Sequence, residues 1–160
     1  MVKFSIIIVS DAVSSGARID TSGLKARELI EKKGHVIEET LVISNSYREI
    51  VKAIRTVESD VLVFIGGTGL SPRDITVDVV KEHAWREVPG FGEYFRLSTA
   101  SKTGLKSLLS RASLFILPDS RIAVVLPGSP NAVEDGLNIL LEIIEHVLEE
   151  ARRFEGEHRV

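Results

Sequence analysis

The 160-residue chain contains no cysteine and no glutamine, one methionine and three asparagines. Without cysteine there is no disulfide framework, no thiolate metal site and no cysteine nucleophile, and a reducing, cytoplasmic setting is expected. Histidine is sparse too. His35, His83, His146 and His158 are scattered, with no pair at metal-ligand spacing. A Gly-x-Ser-x-Gly elbow is missing, so a base-activated serine hydrolase has little support. Long apolar runs are missing as well: after Met1-Val2-Lys3 the first run spans only Phe4 to Val9, too short for a signal peptide or membrane span. Nor is there an excess of positive charge. With 20 Lys+Arg against 23 Asp+Glu, a formal charge of −3 and a pI near 5.8, the footprint of a general nucleic-acid binder is absent. These absences predict a single soluble domain over residues 1–160, without nucleic-acid or membrane partners, in which any anion is bound locally. A chain of this size buries roughly 68–70% of its unfolded surface and needs no staple.

What is present alternates between two periods. Phe4 to Val9 and Val61 to Ile65 are continuous apolar, β-branched runs, the pattern of strands buried on both faces, and Val36 to Ile43 is also strand-like. Between them, Ser22 to Lys33 reads as a helix with apolar Leu24, Leu29 and Ile30, ended by Gly34. Ile50, Val51, Ile54 and Val57 recur at helical spacing. Further helices are predicted over Thr76 to Trp85 and from Phe91 to Leu97. Leu114 to Leu117 and Ile122 to Leu126, separated by Pro118-Asp119-Ser120-Arg121, have hairpin chemistry and predict one antiparallel strand. From Pro130 onward Val133, Leu137, Leu140, Leu141, Ile144, Val147 and Leu148 form one apolar stripe, with Ser129 as N-cap and Pro130 at the first helical position. Residues 153–160 are expected to be a flexible tail. The predicted class is therefore α/β: three layers, a mostly parallel sheet with helices on both faces, and ligands at the C-terminal strand edge.

Three polar or glycine-rich clusters each begin where an apolar strand ends. The first is Ser10-Asp11, Ser14-Ser15-Gly16 and Asp20-Thr21-Ser22-Gly23, which reads either as a hydroxyl-rich binding loop or as a surface loop with Asp20 or Ser22 as N-cap. The second runs from Gly66-Gly67-Thr68-Gly69 through Ser71-Pro72-Arg73-Asp74 to Thr76. Its glycines let backbone amides converge on an anion, although neither the Walker A nor the dinucleotide spacing is present. Ser71 to Asp74 also fits a capping box with proline at N1. The third, Pro127-Gly128-Ser129-Pro130-Asn131, opens the long helix, whose N-terminus favours an anion. Three such loops at one sheet edge suit a ligand with several phosphates, or a phosphate and a polar ring system. Transfer onto an already ionised phosphate needs no general base, only positioning, Mg²⁺ and charge stabilisation. Asp74 and Asp78, flanking Thr76, are candidate catalytic and magnesium carboxylates; Asp78 also reads as a first-turn helix acid.

The order of these loops, with Pro89-Gly90-Phe91-Gly92-Glu93 and Leu109-Ser110-Arg111, resembles the MoaB/Mog family of molybdopterin-binding proteins over nearly the whole chain. The resemblance implies molybdenum- or tungsten-cofactor biosynthesis, a homotrimer or homohexamer, and adenylylation of molybdopterin by Mg-ATP with pyrophosphate release, ahead of a separate molybdenum insertase. It places the nucleotide against Ser10, Asp11, Ser14, Ser15, Gly16, Asp20, Ser22 and Gly66 to Gly69. It places molybdopterin against Ser71, Arg73, Thr76, Ser110, Arg111 and Pro127 to Asn131. Arg111 is then a partner for the pterin's terminal phosphate or, on the plainer reading, a solvated helix-end arginine. One departure stands out: many members carry an acid after the second strand, where this chain reads Ile43-Ser44-Asn45. That substitution is the support for an alternative, a non-catalytic molybdopterin-binding or carrier protein.

Overall fold

The apolar runs become the centre of one sheet. In the computed structural model, which describes residues 1–154, β1 (Lys3–Val9) is buried from Phe4 onward, and β3 (Val61–Ile65) and β6 (Ile122–Leu126) are buried throughout. With β2 (Val36–Ile43), β4 (Arg86–Glu87) and β5 (Ser113–Ile116) they form a six-stranded sheet in the order β2-β1-β3-β6-β5-β4. β2, β1, β3 and β6 run parallel. β5 is antiparallel to β6, joined by the predicted hairpin whose Ser120 takes a positive φ of 66°. Register aligns Val9 with Ile43, Ile8 with Ile65 and Ile65 with Leu126, so the parallel strands end along one edge.

Because side chains alternate along a strand, each central strand feeds two cores. Ile6, Ile8, Val63, Ile65, Val124 and Leu126 pack with Ala26, Ile30, Phe91, Val133, Leu137, Leu140 and Ile144. Those partners come from α2 (Thr21–Lys32), α5 (Pro89–Thr103) and α6 (Pro130–Arg152). On the other face Ile7, Val9, Leu62, Phe64, Ala123 and Val125 meet Ile50, Ile54, Val77 and Val80 from α3 (Tyr47–Thr56) and α4 (Thr76–His83). This is the three-layer α/β architecture that the pattern predicts.

Several elements differ from the expectation. A four-residue helix, α1 (Asp11–Ser14), follows β1 where a loop is predicted, because the Ser10 hydroxyl accepts from the Val13 amide and caps it. α2 does not bury Leu24, which is 62% exposed; its inner face is Ser22, Gly23, Ala26 and Ile30, and a Cβ on Gly23 would sit 2.9 Å from Ile8 Cδ1. α5 starts at Pro89, two residues before the predicted Phe91, as proline suits a first helical position. A 3₁₀ helix, Gly104–Leu109, and the two-residue β4 are not legible in the sequence. The capping box at Ser71 to Asp74 is not formed, since α4 begins only at Thr76 and has no side-chain cap. α6 ends at Arg152; of the expected tail, residues 155–160 lie outside the described residues. No helix among the described residues is long and apolar enough to cross a membrane.

Candidate functional site

The strand edge carries a cleft of about 580 Å³ between the segments that follow β1, β3 and β6. Its best-defined wall is the glycine loop after β3. The Gly66 amide donates to Leu126 O at 2.9 Å, extending the β3–β6 ladder by one bond. Gly66 and Gly67 then take φ of 109° and 72°, values open to glycine, and a Cβ on Gly67 would fall 2.1 Å from Thr76 Oγ1. The Gly67 carbonyl accepts from the Thr76 amide at 3.2 Å. In a planar trans peptide the following N–H points the other way, so the Thr68 amide is turned from Thr76. Among the described residues neither the Gly67 nor the Thr68 amide has an acceptor in the chain, and both residues line the cleft. Two adjacent unpartnered amides are a cradle for an anion.

Asp74 lies beside this cradle. Its Oδ2 accepts from the Ser71 hydroxyl at 2.7 Å and the Ser71 amide at 3.1 Å. The Ser71 hydroxyl, chiefly, holds the carboxyl below its ordinary range; partial burial opposes this, and the Ser71 and Gly69 amides and the Arg111 charge assist. Asp74 is thus ionised at neutral pH.

Arg111 has its guanidinium engaged inside the protein. Nη2 donates to the carbonyls of Gly69 (2.8 Å) and Asp74 (2.7 Å), and Nε to those of Gly69 (3.1 Å) and Thr68 (3.3 Å). Nη1 spans both carboxylate oxygens of Asp78 at 2.9 and 3.0 Å. Arg111 thus holds the glycine loop by its carbonyls and pairs with Asp78, and both residues lie outside the lining of the cleft that contains Asp74.

The segment after β1 is organised differently. Asp11 turns away from the cleft to accept from the Asn45 amide at 2.8 Å and from Arg73 Nη2 at 2.8 Å. The Asn45 amide is the main reason its carboxyl lies below the ordinary range; desolvation opposes this, and the Arg73 hydrogen bond and charge assist it. Asn45 also donates through Nδ2 to the Arg73 carbonyl, while its buried Oδ1 has no partner among the described residues. Asp20 caps α2 by accepting from the Gly23 amide at 2.7 Å. The Ser22 hydroxyl donates to Gly128 O at 2.5 Å and ties this segment to the third loop, where Ser129 caps α6.

Of the predicted residues, the cleft gathers Ser10, Asp20, Ser22, Gly66, Gly67, Thr68, Gly69, Asp74, Gly128, Ser129 and Pro130. Asp11, Ser14, Ser15, Gly16, Ser71, Arg73, Thr76, Asp78, Ser110, Arg111, Pro127 and Asn131 are outside its lining. Thr21, from the first polar cluster, also lines the cleft, whereas sequence reasoning does not single out Arg18, Ile19 or the apolar floor of Ile8, Val9, Val13 and Ile65. A lone cation two residues before Asp20, in a segment otherwise without basic residues, is the signal that could have drawn attention to Arg18.

The described residues hold no group of three or more His, Asp or Glu side chains placed to bind a metal. Asp74, held through Oδ2 by Ser71, is the carboxylate beside the unpartnered amides, and a hard oxygen donor there suits magnesium, which keeps several waters and binds through one or two carboxylates plus substrate phosphates.

Comparison with known proteins follows the same lines. A family profile described as "probable molybdopterin binding domain" matches residues 5–146. The molybdopterin adenylyltransferase of Pyrococcus furiosus is 37% identical over 155 residues, covering 94% of this chain and 91% of that protein. The molybdenum cofactor biosynthesis protein B of Halalkalibacterium halodurans is 33% identical, covering 93% and 89%. Among solved structures, the tungsten cofactor synthesizing protein MoaB from P. furiosus superimposes with a TM-score of 0.88 at 35% identity, covering 96% of this chain and 98% of that one.

Proposed function

The chain belongs to the molybdopterin-binding domain family, and from that premise we propose that the cleft is where it acts as a molybdopterin adenylyltransferase in molybdenum- or tungsten-cofactor biosynthesis. A terminal phosphate oxygen of molybdopterin attacks the α-phosphorus of ATP. The bond from that phosphorus to the pyrophosphate oxygen breaks, and pyrophosphate leaves. The observation that supports this reading best is the pair of unpartnered amides at Gly67 and Thr68 beside an ionised Asp74. A phosphate nucleophile is already ionised, so no base is required, in keeping with a described cleft lining that contains no histidine.

We assign the nucleotide to Ser10, Asp20, Ser22 and the Gly66 to Gly69 loop, and the pterin to the turn at Gly128, Ser129 and Pro130. Magnesium arriving with ATP would neutralise charge on the phosphates, with Asp74 as its protein ligand. Asp74 accepts and holds; the loop amides take up charge that develops in transfer. Self-association as a trimer or hexamer is supported by Leu97, Leu105, Leu108 and Leu109, which are 57–83% exposed on one stretch of α5 and the 3₁₀ helix. An insertase downstream would receive the product.

The test is pyrophosphate release from Mg-ATP with and without molybdopterin, with Asp74→Ala as control. Pterin-dependent release that falls at least about 100-fold in the variant is expected, the scale on which lost charge stabilisation registers. Pterin binding without any release would make the chain a carrier on an enzyme's fold.

A further inference from the structure

The cleft must take a polyanion, yet its wall carries two carboxylates, Asp20 and Asp74, and a single cation. Three arginines surround it, and the structure commits two of them. Arg73 is paired with Asp11 at 2.8 Å, and Arg111 spends its donors on three backbone carbonyls and Asp78. Arg18 is different. Its backbone amide donates to Ala12 O at 3.1 Å, which anchors the loop, while its exposed side chain has no partner among the described residues. It is also the one arginine of the three that lines the cleft.

We propose that Arg18 binds the β- and γ-phosphates of ATP and the pyrophosphate they become, facing the Gly67–Thr68 cradle from the loop between α1 and α2. The inference rests on the adenylyltransferase reading and adds the residue that holds the leaving group. Amides alone supply partial charges; a guanidinium supplies a full charge and a planar fork that matches two phosphate oxygens. As the phosphorus–oxygen bond to pyrophosphate breaks, negative charge grows on that leaving oxygen, where a cation stabilises the transition state more than the ground state. Among the described residues the Arg18 side chain makes no hydrogen bond or ion pair, so none has to be broken for it to reach a ligand.

Calorimetric titration of the full chain with inorganic tripolyphosphate, and separately with AMP, tests this without turnover. Arg18→Ala is expected to weaken tripolyphosphate binding by about tenfold or more, the scale of one charge-assisted contact, and AMP binding by less than about twofold. Arg18→Lys, which keeps charge but not the fork, falls between them. Unchanged tripolyphosphate affinity in Arg18→Ala, an equal loss for AMP, or no tripolyphosphate binding by the wild type each overturns the proposal. Pyrophosphate release separates it from the reading it rests on. If the wild type turns over and the Arg18 variants bind tripolyphosphate normally, Arg18 alone is wrong. If tripolyphosphate binding depends on Arg18 but no pyrophosphate is released, the adenylyltransferase reading is wrong and the Arg18 site stands.

Discussion

Residues 66–75 and residues 10–22 each leave the end of a central parallel strand and line the same cleft, but they are held in different ways. In the first, the Gly66 amide, the carbonyls of Gly67, Thr68, Gly69 and Asp74, and the Asp74 carboxylate all have partners inside the protein. Among the described residues the adjacent Gly67 and Thr68 amides, which line the cleft, have no acceptor in the chain. In the second, Ser10 and Asp20 serve as caps, Asp11 is pinned from the side, and Ser14, Ser15, Gly16, Arg18 and Ile19 between them are exposed. The difference separates two tasks. A wall whose donors must meet developing charge gains from being fixed in advance, because reorganisation during reaction then costs nothing. A wall that must admit and release a charged ligand gains from side chains without competing partners.

The sharpest way to break this contrast is Arg111→Ala. It strips hydrogen bonds from three loop carbonyls, an expected loss of about 1–3 kcal/mol if they are left unsatisfied, and loosening the wall lowers turnover by on the order of 100-fold. Chemical denaturation and pyrophosphate release read the two effects; Arg111→Lys should recover little of either, because an ammonium cannot fork to several acceptors at once. A variant with wild-type turnover would show that the glycine loop holds its shape without the brace.

Acid offers a milder test. The Asp74 carboxyl lies below its ordinary range when folded, so its contribution to stability is complete above the unfolded value of about 4 and is lost as pH falls through the lower folded value. Asp11 follows the same sign through its contacts with Asn45 and Arg73. Protection of the Ser71 amide, relative to its intrinsic exchange rate at each pH, should therefore fall below about pH 4, and Asp74→Asn should flatten that pH dependence. Exchange that is indifferent to acid would remove the carboxylate from the locking network.

The smallest effect is expected at Ser15→Ala in the other loop. The Ser15 hydroxyl donates only to Ala12 O at 3.3 Å on an exposed turn, so stability should move by less than about 0.5 kcal/mol and turnover by less than about twofold. A large loss in either assay would show that this segment is as tightly specified as the glycine loop.

What the sequence reveals of these walls follows the physics that writes each one. The buried strands are legible because burial on both faces demands unbroken apolar runs, as in Val61 to Ile65, and α6 because a long stripe repeats from Val133 to Leu148. α2 misleads at Leu24 because close helix packing selects small residues, Gly23 and Ala26, over large ones. At the site, Gly66 to Gly69 are legible since positive φ and close approach restrict composition. The occupation of Arg111 is not. Its acceptors are carbonyls 37 to 43 residues away, and backbone acceptors leave no mark on the residues that own them. Arg18 is faint for the opposite reason: among the described residues its side chain has no hydrogen-bond or ion-pair partner, so only its isolation as a cation in a polar loop marks it.

The ends of the sheet carry a consequence for how molecules of this chain meet one another. At one end β4 is only two exposed residues long, Arg86 and Glu87, too short a stub for another chain to zip onto. At the other, β2 sets Glu38, Glu39 and Thr40 in a row on its exposed stretch, with Lys3 reaching Glu38 across the neighbouring strand at 2.8 Å. Charged and truncated edges are how β-sheets resist ribbon-to-ribbon stacking. The short β4 and the charged stretch of β2 therefore disfavour strand addition at the two margins of the sheet.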